Sequence, residues 1–382
     1  MKKILLQYYA RQNLGDDLFV KILAEQFSDC KINLLTNPLF VPKDLRKNIK
    51  VHPYSLLRSV AGKTQSLLGW DHPIAKKIDI LLENIFQKQI ARNDAFVYIG
   101  GSIFMQRTTK QEEITFQTAR EPVFTYTSQL QNTGKTFVIG ANLGPFGVDG
   151  YQEKIQKAFM NYTHVCLRDY SSYCLVENLD HVQYAPDVVF LASQPEVEVK
   201  EENVVISVID ISNHTNDDTI INAYYRLLCD TIVELAKRHV PVTLVSFCKR
   251  EGDERAIKKL ICMLPEGTRI TTHFYNGNIG KTLEVFSKAS FVIASRFHSM
   301  ILGISFGKPV FPISYNCKTI NYLNDLHFAG KYATLSSLFE ITSEDVLYNY
   351  EKYIVTECTL HKQYAIHQFR ALRTFLDNTV KD

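Results

Sequence analysis

Arg296 and His298 stand one residue apart in Ser295-Arg296-Phe297-His298-Ser299, between two apolar segments. A guanidinium grips carboxylate or phosphate with two parallel hydrogen bonds, and an imidazole titrates near neutral pH. The pair can therefore hold an anion and move a proton. A second guanidinium, Arg168, opens Arg168-Asp169-Tyr170-Ser171-Ser172, and Asp187 closes Tyr184-Ala185-Pro186-Asp187. Near the amino terminus Asn13, Gly15 and Asp16 fall in Gln12-Asn13-Leu14-Gly15-Asp16-Asp17. Each charge-assisted bond to an anionic ligand contributes roughly 1.5–3 kcal/mol. Structural roles compete with these: Arg296 pairing with a carboxylate across a domain interface, His298 as a satisfied half-buried histidine, Asn13 and Asp16 as helix caps, and Asp187 holding a loop or orienting an arginine.

The elements around these residues repeat one pattern. Phe291 to Ala294 reads as a buried strand, the polar residues follow, and a helix-length apolar segment ends in Gly307-Lys308-Pro309 before a strand from Val310 to Ile313. That is a βαβ unit with its polar residues at the carboxyl end of a strand and the amino end of a helix, where anions bind. The same order recurs at the first strand after Met1 with a helix from Leu18 to Phe27. It recurs at Ala95–Ile99 before Gly100-Gly101-Ser102, at Phe137–Ile139 before Gly140-Ala141-Asn142-Leu143-Gly144-Pro145, and at Val165–Leu167 before Arg168. No G-x-G-x-x-G is present, which argues against a dinucleotide. Ser193–Asn203 has no apolar period and reads as a linker. Beyond it, strands at Val204–Ile209, Val242–Phe247 and Arg269–Phe274 alternate with helices at Thr219–His239, Glu254–Leu264 and Lys318–Asp325.

A chain of 382 residues suits two domains, and its net charge of +3 is too weak to argue for a nucleic-acid partner. The eight cysteines form no Cys-x-x-Cys pair and sit mostly in apolar segments, as reduced thiols do. Neither a zinc site nor any other metal site is expected. The apolar start Ile4-Leu5-Leu6 is too short for a signal peptide, and no run reaches the ~18 apolar residues of a membrane helix. A cytoplasmic protein is expected, able to touch the inner face of a membrane. Residues 52–93 carry two helix-like stretches with Arg58, Lys63, Lys76, Lys77, Lys88 and Arg92, and Trp70 between them. Such a basic amphipathic face can lie on an anionic bilayer or be the solvated side of a packed helix.

In order and spacing, these motifs resemble the polysaccharide pyruvyl transferase family. Its corresponding features are Asn-x-Gly-Asp, a Gly-Gly-Gly or Gly-Gly-Ser turn, Gly-x-Gly-x-Gly-Pro, Arg-Asp/Glu-x-x-Ser, Pro-Asp and Arg-Leu-His. This sequence keeps most of them, departing at Ala141-Asn142 and at Phe297. The resemblance implies an α/β, GT-B-like architecture of two Rossmann-like doubly wound parallel-sheet domains facing a cleft. The expected domains are residues 1–192 on the acceptor side and 204–342 on the phosphoenolpyruvate side, with helices of 343–382 packing back on the first. It also implies transfer of a pyruvyl group from phosphoenolpyruvate to a sugar of an exopolysaccharide or capsular polysaccharide repeat, with a polyprenyl-diphosphate-linked acceptor as one form. No cofactor is expected, because phosphoenolpyruvate is itself a substrate. Donor-binding residues would be Arg168, Arg296, Phe297, His298 and Ser299. Acceptor-binding residues would be Asn13, Gly15, Asp16, Gly101, Ser102 and Asn142. His298 is the general-acid candidate by residue type, with Asp16 and Asp187 as candidate bases. Two other readings share the fold: a glycosyltransferase using a nucleotide sugar, and a non-catalytic glycan-binding protein.

Overall fold

The computed structural model describes residues 1–45, 49–69, 72–106, 133–199 and 201–379. Trp70, which the sequence places between two helix-like stretches, lies outside them. The chain divides into two compact units. One comprises Met1–Ala10, Phe19–Val188 and Tyr364–Asp382; the other comprises Arg11–Leu18 and Val189–Gln363.

In chain order the first part of the molecule contains β1 (Lys3–Gln7), α1 (Leu14–Gln26), β2 (Lys31–Leu35), β3 (Ile49–His52), α2 (Tyr54–Leu68), α3 (Pro73–Ala91), β4 (Ala95–Ile99), β5 (Thr136–Ala141), α4 (Tyr151–Phe159), β6 (His164–Leu167), α5 (Tyr170–Cys174) and β7 (Val182–Tyr184). The seven strands form a sheet in the order β3-β2-β1-β4-β5-β6-β7, with every neighbouring pair parallel. Central strands such as Ile4-Leu5-Leu6 are apolar without alternation because both of their faces are covered.

The second sheet repeats the plan. It is built from β8 (Val204–Ser207), α6 (Asp218–Lys237), β9 (Val242–Ser246), α7 (Asp253–Met263), β10 (Ile270–Phe274), α8 (Ile279–Ser287), β11 (Phe291–Ala294), α9 (Phe297–Ser305), β12 (Val310–Ser314), α10 (Cys317–Asp325) and β13 (Ala333–Thr334). Its parallel order is β10-β9-β8-β11-β12-β13. In both sheets the chain starts in the middle, runs to one edge and returns past its starting strand. The order therefore reverses between β1 and β4, and again between β8 and β11. Ligands of doubly wound sheets bind at the carboxyl ends of strands at such reversals. Arg296 follows β11 after a single serine, at the second reversal.

Three boundaries differ from the sequence reading. Helix α1 starts at Leu14 rather than Leu18, because the Asn13 Oδ1 accepts from the Gly15 N–H at 3.1 Å and Asp16 and Asp17 supply negative charge to the first turn. Helix α9 starts at Phe297, so Phe297, His298 and Ser299 occupy its first turn and not a loop. The carboxyl-terminal stretch also divides. Helix α11 (Ser343–Glu351) stays with the second unit, where Val346 and Leu347 enter the core under β12 and the Asn349 Nδ2 donates to the Val310 carbonyl at 2.8 Å. It is followed by α12 (Thr359–Ala365), and only Tyr364 onward packs with the first unit, through α13 (Arg370–Asn378) and Gln368. The Gln368 side chain accepts from the Gly140 N–H at 2.9 Å and donates to the Ala185 carbonyl at 2.6 Å. Those two bonds tie the end of the chain to the carboxyl end of β5 and to the loop before Asp187.

Candidate functional site

In the first unit Arg168 leaves the end of β6 with only 2% exposure. Its Nη1 donates to the Asp187 Oδ2 at 2.9 Å and its Nη2 to the Asn142 Oδ1 at 2.7 Å. Ser102 Oγ reaches the same amide oxygen at 3.3 Å, and the Asn142 N–H donates to the Gly101 carbonyl at 2.8 Å. A Cβ at Gly101 would lie 2.5 Å from the Arg168 Nη1, so glycine is required for the guanidinium to lie across this turn. Asp169 and Ser172 have a supporting role: Asp169 caps α5 through the Ser172 N–H, and the Ser172 Oγ accepts from the Leu143 N–H. Sequence-predicted Arg168, Asp187, Gly101, Ser102 and Asn142 thus form one cluster.

The second unit brings together the start of α1 and the start of α9. Gly15 is buried beneath His298, and a Cβ there would lie 1.9 Å from the imidazole Nδ1. Arg296, the residue that caps α9, is 8% exposed and points back across the sheet. Its Nε donates to the Asp253 Oδ2 at 3.1 Å, its Nη2 to the Asp253 Oδ1, and its Nη1 to the Glu251 carboxylate. Asp253 also accepts from the Phe247 and Cys248 N–H groups at 2.9 and 3.0 Å. Glu251 reaches the Asn13 Nδ2 at 3.3 Å, which closes the chain of contacts from Asn13 to Arg296.

Burial works against the charged forms, but the ion pairs modify its effect. Burial alone would lower the Arg296 pKa, yet Asp253 and Glu251 together hold it well above the ordinary value. Burial pushes the Glu251 carboxyl up, and the Arg296 charge and hydrogen bond more than reverse this. For Asp253 burial prevails over Arg296, and its pKa is raised. Phe297 lies edge-on between the rings of His298 and Tyr322, with centroids 5.2 Å from each. The Ser299 hydroxyl in the same turn is fully buried without a hydrogen-bond partner. Asp16 is half-buried in the first turn of α1, whereas its neighbour Asp17 is fully buried and accepts from the Tyr275 hydroxyl at 2.6 Å.

The family profile of polysaccharide pyruvyl transferase matches residues 13–316, a span that contains both clusters. The chain belongs to that family. A search of curated proteins gives no match. Among solved structures, the UDP-GlcNAc 2-epimerase from Methanocaldococcus jannaschii is similar, with a TM-score of 0.58 and 11% identity over 99% of this chain and 100% of that one. The UDP-GlcNAc 2-epimerase from Neisseria meningitidis bound to UDP-GlcNAc gives 0.55 and 12% over 99% and 100%. A glycosyltransferase from Rickettsia africae gives 0.51 and 12% over 99% and 94%. At these identities the likeness is one of fold, and the fold is GT-B.

Both departures of this polysaccharide pyruvyl transferase from the family's usual motifs have local consequences. Asn142, in the second glycine turn, supplies the oxygen that receives Arg168, and Phe297 adds an aromatic wall beside His298. Glu251 and Asp253 were not singled out from the sequence. The signal available was an acidic pair around Gly252, just beyond a buried strand. His214 and Tyr315 were missed as well; their rings pack with centroids 4.0 Å apart, and His214 helps to lower the Glu251 carboxyl.

Proposed function

We propose that this protein transfers the pyruvyl group of phosphoenolpyruvate to two hydroxyls of one sugar in a polysaccharide or lipid-linked oligosaccharide repeat, forming a ketal and releasing phosphate. The observation that carries this reading, within a pyruvyl transferase family member, is the start of α9. There Arg296 and His298 stand at a helix amino terminus at the reversal of strand order, with Gly15 in the first turn of α1 against the imidazole. The donor is a dianionic phosphate ester with a carboxylate, and such a ligand needs several N–H donors at once. Arg296 is the proposed guanidinium contact of the second unit, and Arg168 that of the first. Phe297 and the unpartnered Ser299 hydroxyl line the donor position.

In the proposed reaction His298 protonates the methylene carbon, and positive character develops at C2. A sugar hydroxyl attacks C2, the C2–O bond to phosphate breaks, and a second hydroxyl of the same sugar closes the ketal. Of the two hydroxyl protons, one replaces the proton given by His298 and the other leaves with phosphate. Asp16 is the proposed base. Asp187, fully buried and paired with Arg168, is read as orienting that arginine. Gly101, Ser102 and Asn142, with Asn13 and Gly15, are the proposed acceptor contacts. The reaction as written requires no cofactor, and we place the protein in the cytoplasm.

The test is acceptor-dependent phosphate release from phosphoenolpyruvate, with a new ketal methyl signal in the product's NMR spectrum. Turnover of a nucleotide sugar on the same acceptors, with no phosphate from phosphoenolpyruvate, would replace this reading by a glycosyltransferase.

A further inference from the structure

We propose that the α2–α3 helix pair is a docking surface for an anionic lipid bilayer. The two helices pack on each other, and their inner sides are accounted for. Tyr54 and Ala61 of α2, with Leu82, Phe86 and Ile90 of α3, bury against Leu5, Leu35 and Phe96 of the first sheet. Their outer sides are unusual for a water-facing surface. Helix α2 exposes Leu57, Val60, Leu67 and Leu68, and α3 exposes Ile74, Ile80 and Leu81. Leu67 is 86% exposed, and the rest are at least two-fifths exposed. At about 3.6 residues per turn the four α2 residues fall on one side of the helix, next to and distinct from the side that packs inward. Isolated exposed leucines are ordinary, but a stripe continued on an adjacent helix marks a surface that is covered by something.

The charges indicate the partner. Helix α2 carries Arg58 and Lys63 and no acidic residue; α3 carries Lys76, Lys77 and Lys88 against Asp79 and Glu83. Aliphatic residues that enter the acyl boundary, flanked by lysines whose stems reach up to lipid phosphates, fit the negative face of a bilayer. No helix among the described residues is long and apolar enough to cross a membrane, so the contact would lie along the surface. Docking stands apart from the donor assignment. Only its consequence, delivery of the enzyme to a lipid-linked acceptor, rests on the reading above.

The test is flotation of the full chain with vesicles of neutral phosphatidylcholine and with vesicles that also contain anionic phosphatidylglycerol, at low and high salt. The expected result is flotation with the anionic vesicles that weakens with salt. Lys76→Glu with Lys77→Glu should reduce it by about tenfold or more, and Leu67→Asp with Leu81→Asp should abolish it while leaving the melting temperature unchanged. All four side chains are solvent-exposed, and the melting temperature of each double variant is the control for folding. Absence of flotation with anionic vesicles would overturn the proposal, as would flotation that both pairs of substitutions leave intact. Sedimentation of a lipid-free dimer that Leu67→Asp with Leu81→Asp dissociates would assign the surface to a second copy of the chain instead.

Discussion

Asp253 holds Arg296 at two points: its Oδ2 accepts from Nε at 3.1 Å and its Oδ1 from Nη2, and the carboxylate is fully buried. The same carboxylate receives two backbone N–H groups from the turn after β9, so the guanidinium is tied to the frame of the sheet. Removing one partner of a buried pair leaves the other charge uncompensated. Asp253→Asn is therefore expected to destabilise the protein by about 3–5 kcal/mol, read as a shift in the urea midpoint. Phosphoenolpyruvate affinity should fall with it, measured below the unfolding transition.

Glu251 is held less firmly. Its side chain is 33% exposed and makes one ion pair, to the Arg296 Nη1, with a long contact to Asn13. Its backbone is fixed, because its carbonyl accepts from the Asn213 Nδ2 at 2.8 Å. Two carboxylates on one guanidinium leave the cluster with an excess negative charge, an unfavourable setting for a further anion. Glu251→Gln is expected to lower stability and yet tighten phosphoenolpyruvate binding by about threefold to tenfold. Calorimetric titration of both proteins checks this, and unchanged or weaker binding would contradict it.

Gly15 and Gly101 are positions of close approach, to His298 and Arg168 respectively. Gly15→Ala places a methyl group where the imidazole lies, so the ring must move. The expected outcome is a fall in kcat of about tenfold or more with a smaller change in KM. Equal kinetics for Gly15→Ala and wild type would remove His298 from the reacting centre.

The sheets were legible in the sequence because a strand covered on both faces is a largely apolar run, as in Phe291–Ala294 and in Val204-Val205-Ile206 of β8. Arg296 and His298 were legible because they follow such a run and precede a helix. Strands β2 and β3 were not anticipated, since Lys31 and Asn33 interrupt the one and Lys50 the other, which is the short strand at the sheet's edge. Nor was the Arg296 clamp. The turn carrying Glu251 and Asp253 reaches it only because β9 and β11 flank β8, an adjacency that local sequence does not carry. The carboxyl-terminal boundary was misplaced for a similar reason: Val346 and Leu347 are an unremarkable apolar pair until β12 offers them a surface.

Helix α11 offers a check on the electrostatics away from the site. Thr342 and Asp345 form a reciprocal capping box, and the Lys331 Nζ donates to the Asp345 Oδ1 at 2.7 Å. The lysine bond, with the Thr342 bonds, pulls the Asp345 carboxyl down to about 2. A depressed carboxylate contributes stability that is present above its unfolded value near 4 and is lost as the pH falls toward about 2. Asp345→Ala is expected to cost about 1 kcal/mol at neutral pH, partial exposure of the pair keeping it small. Melting curves should show the gap to wild type closing across that acid window and nowhere above it.

The central claim is that the start of α9 receives phosphoenolpyruvate. Thermal unfolding, with phosphoenolpyruvate and in parallel UDP, GDP and CMP, tests it directly, because a ligand that binds only the folded state raises the melting temperature. Arg296→Lys, which keeps the charge and loses the fork, is the variant of choice, with Arg296→Ala beside it. The account predicts a rise with phosphoenolpyruvate alone that is lost in both variants. A rise with a nucleotide alone, or a phosphoenolpyruvate response that survives both substitutions, would contradict it.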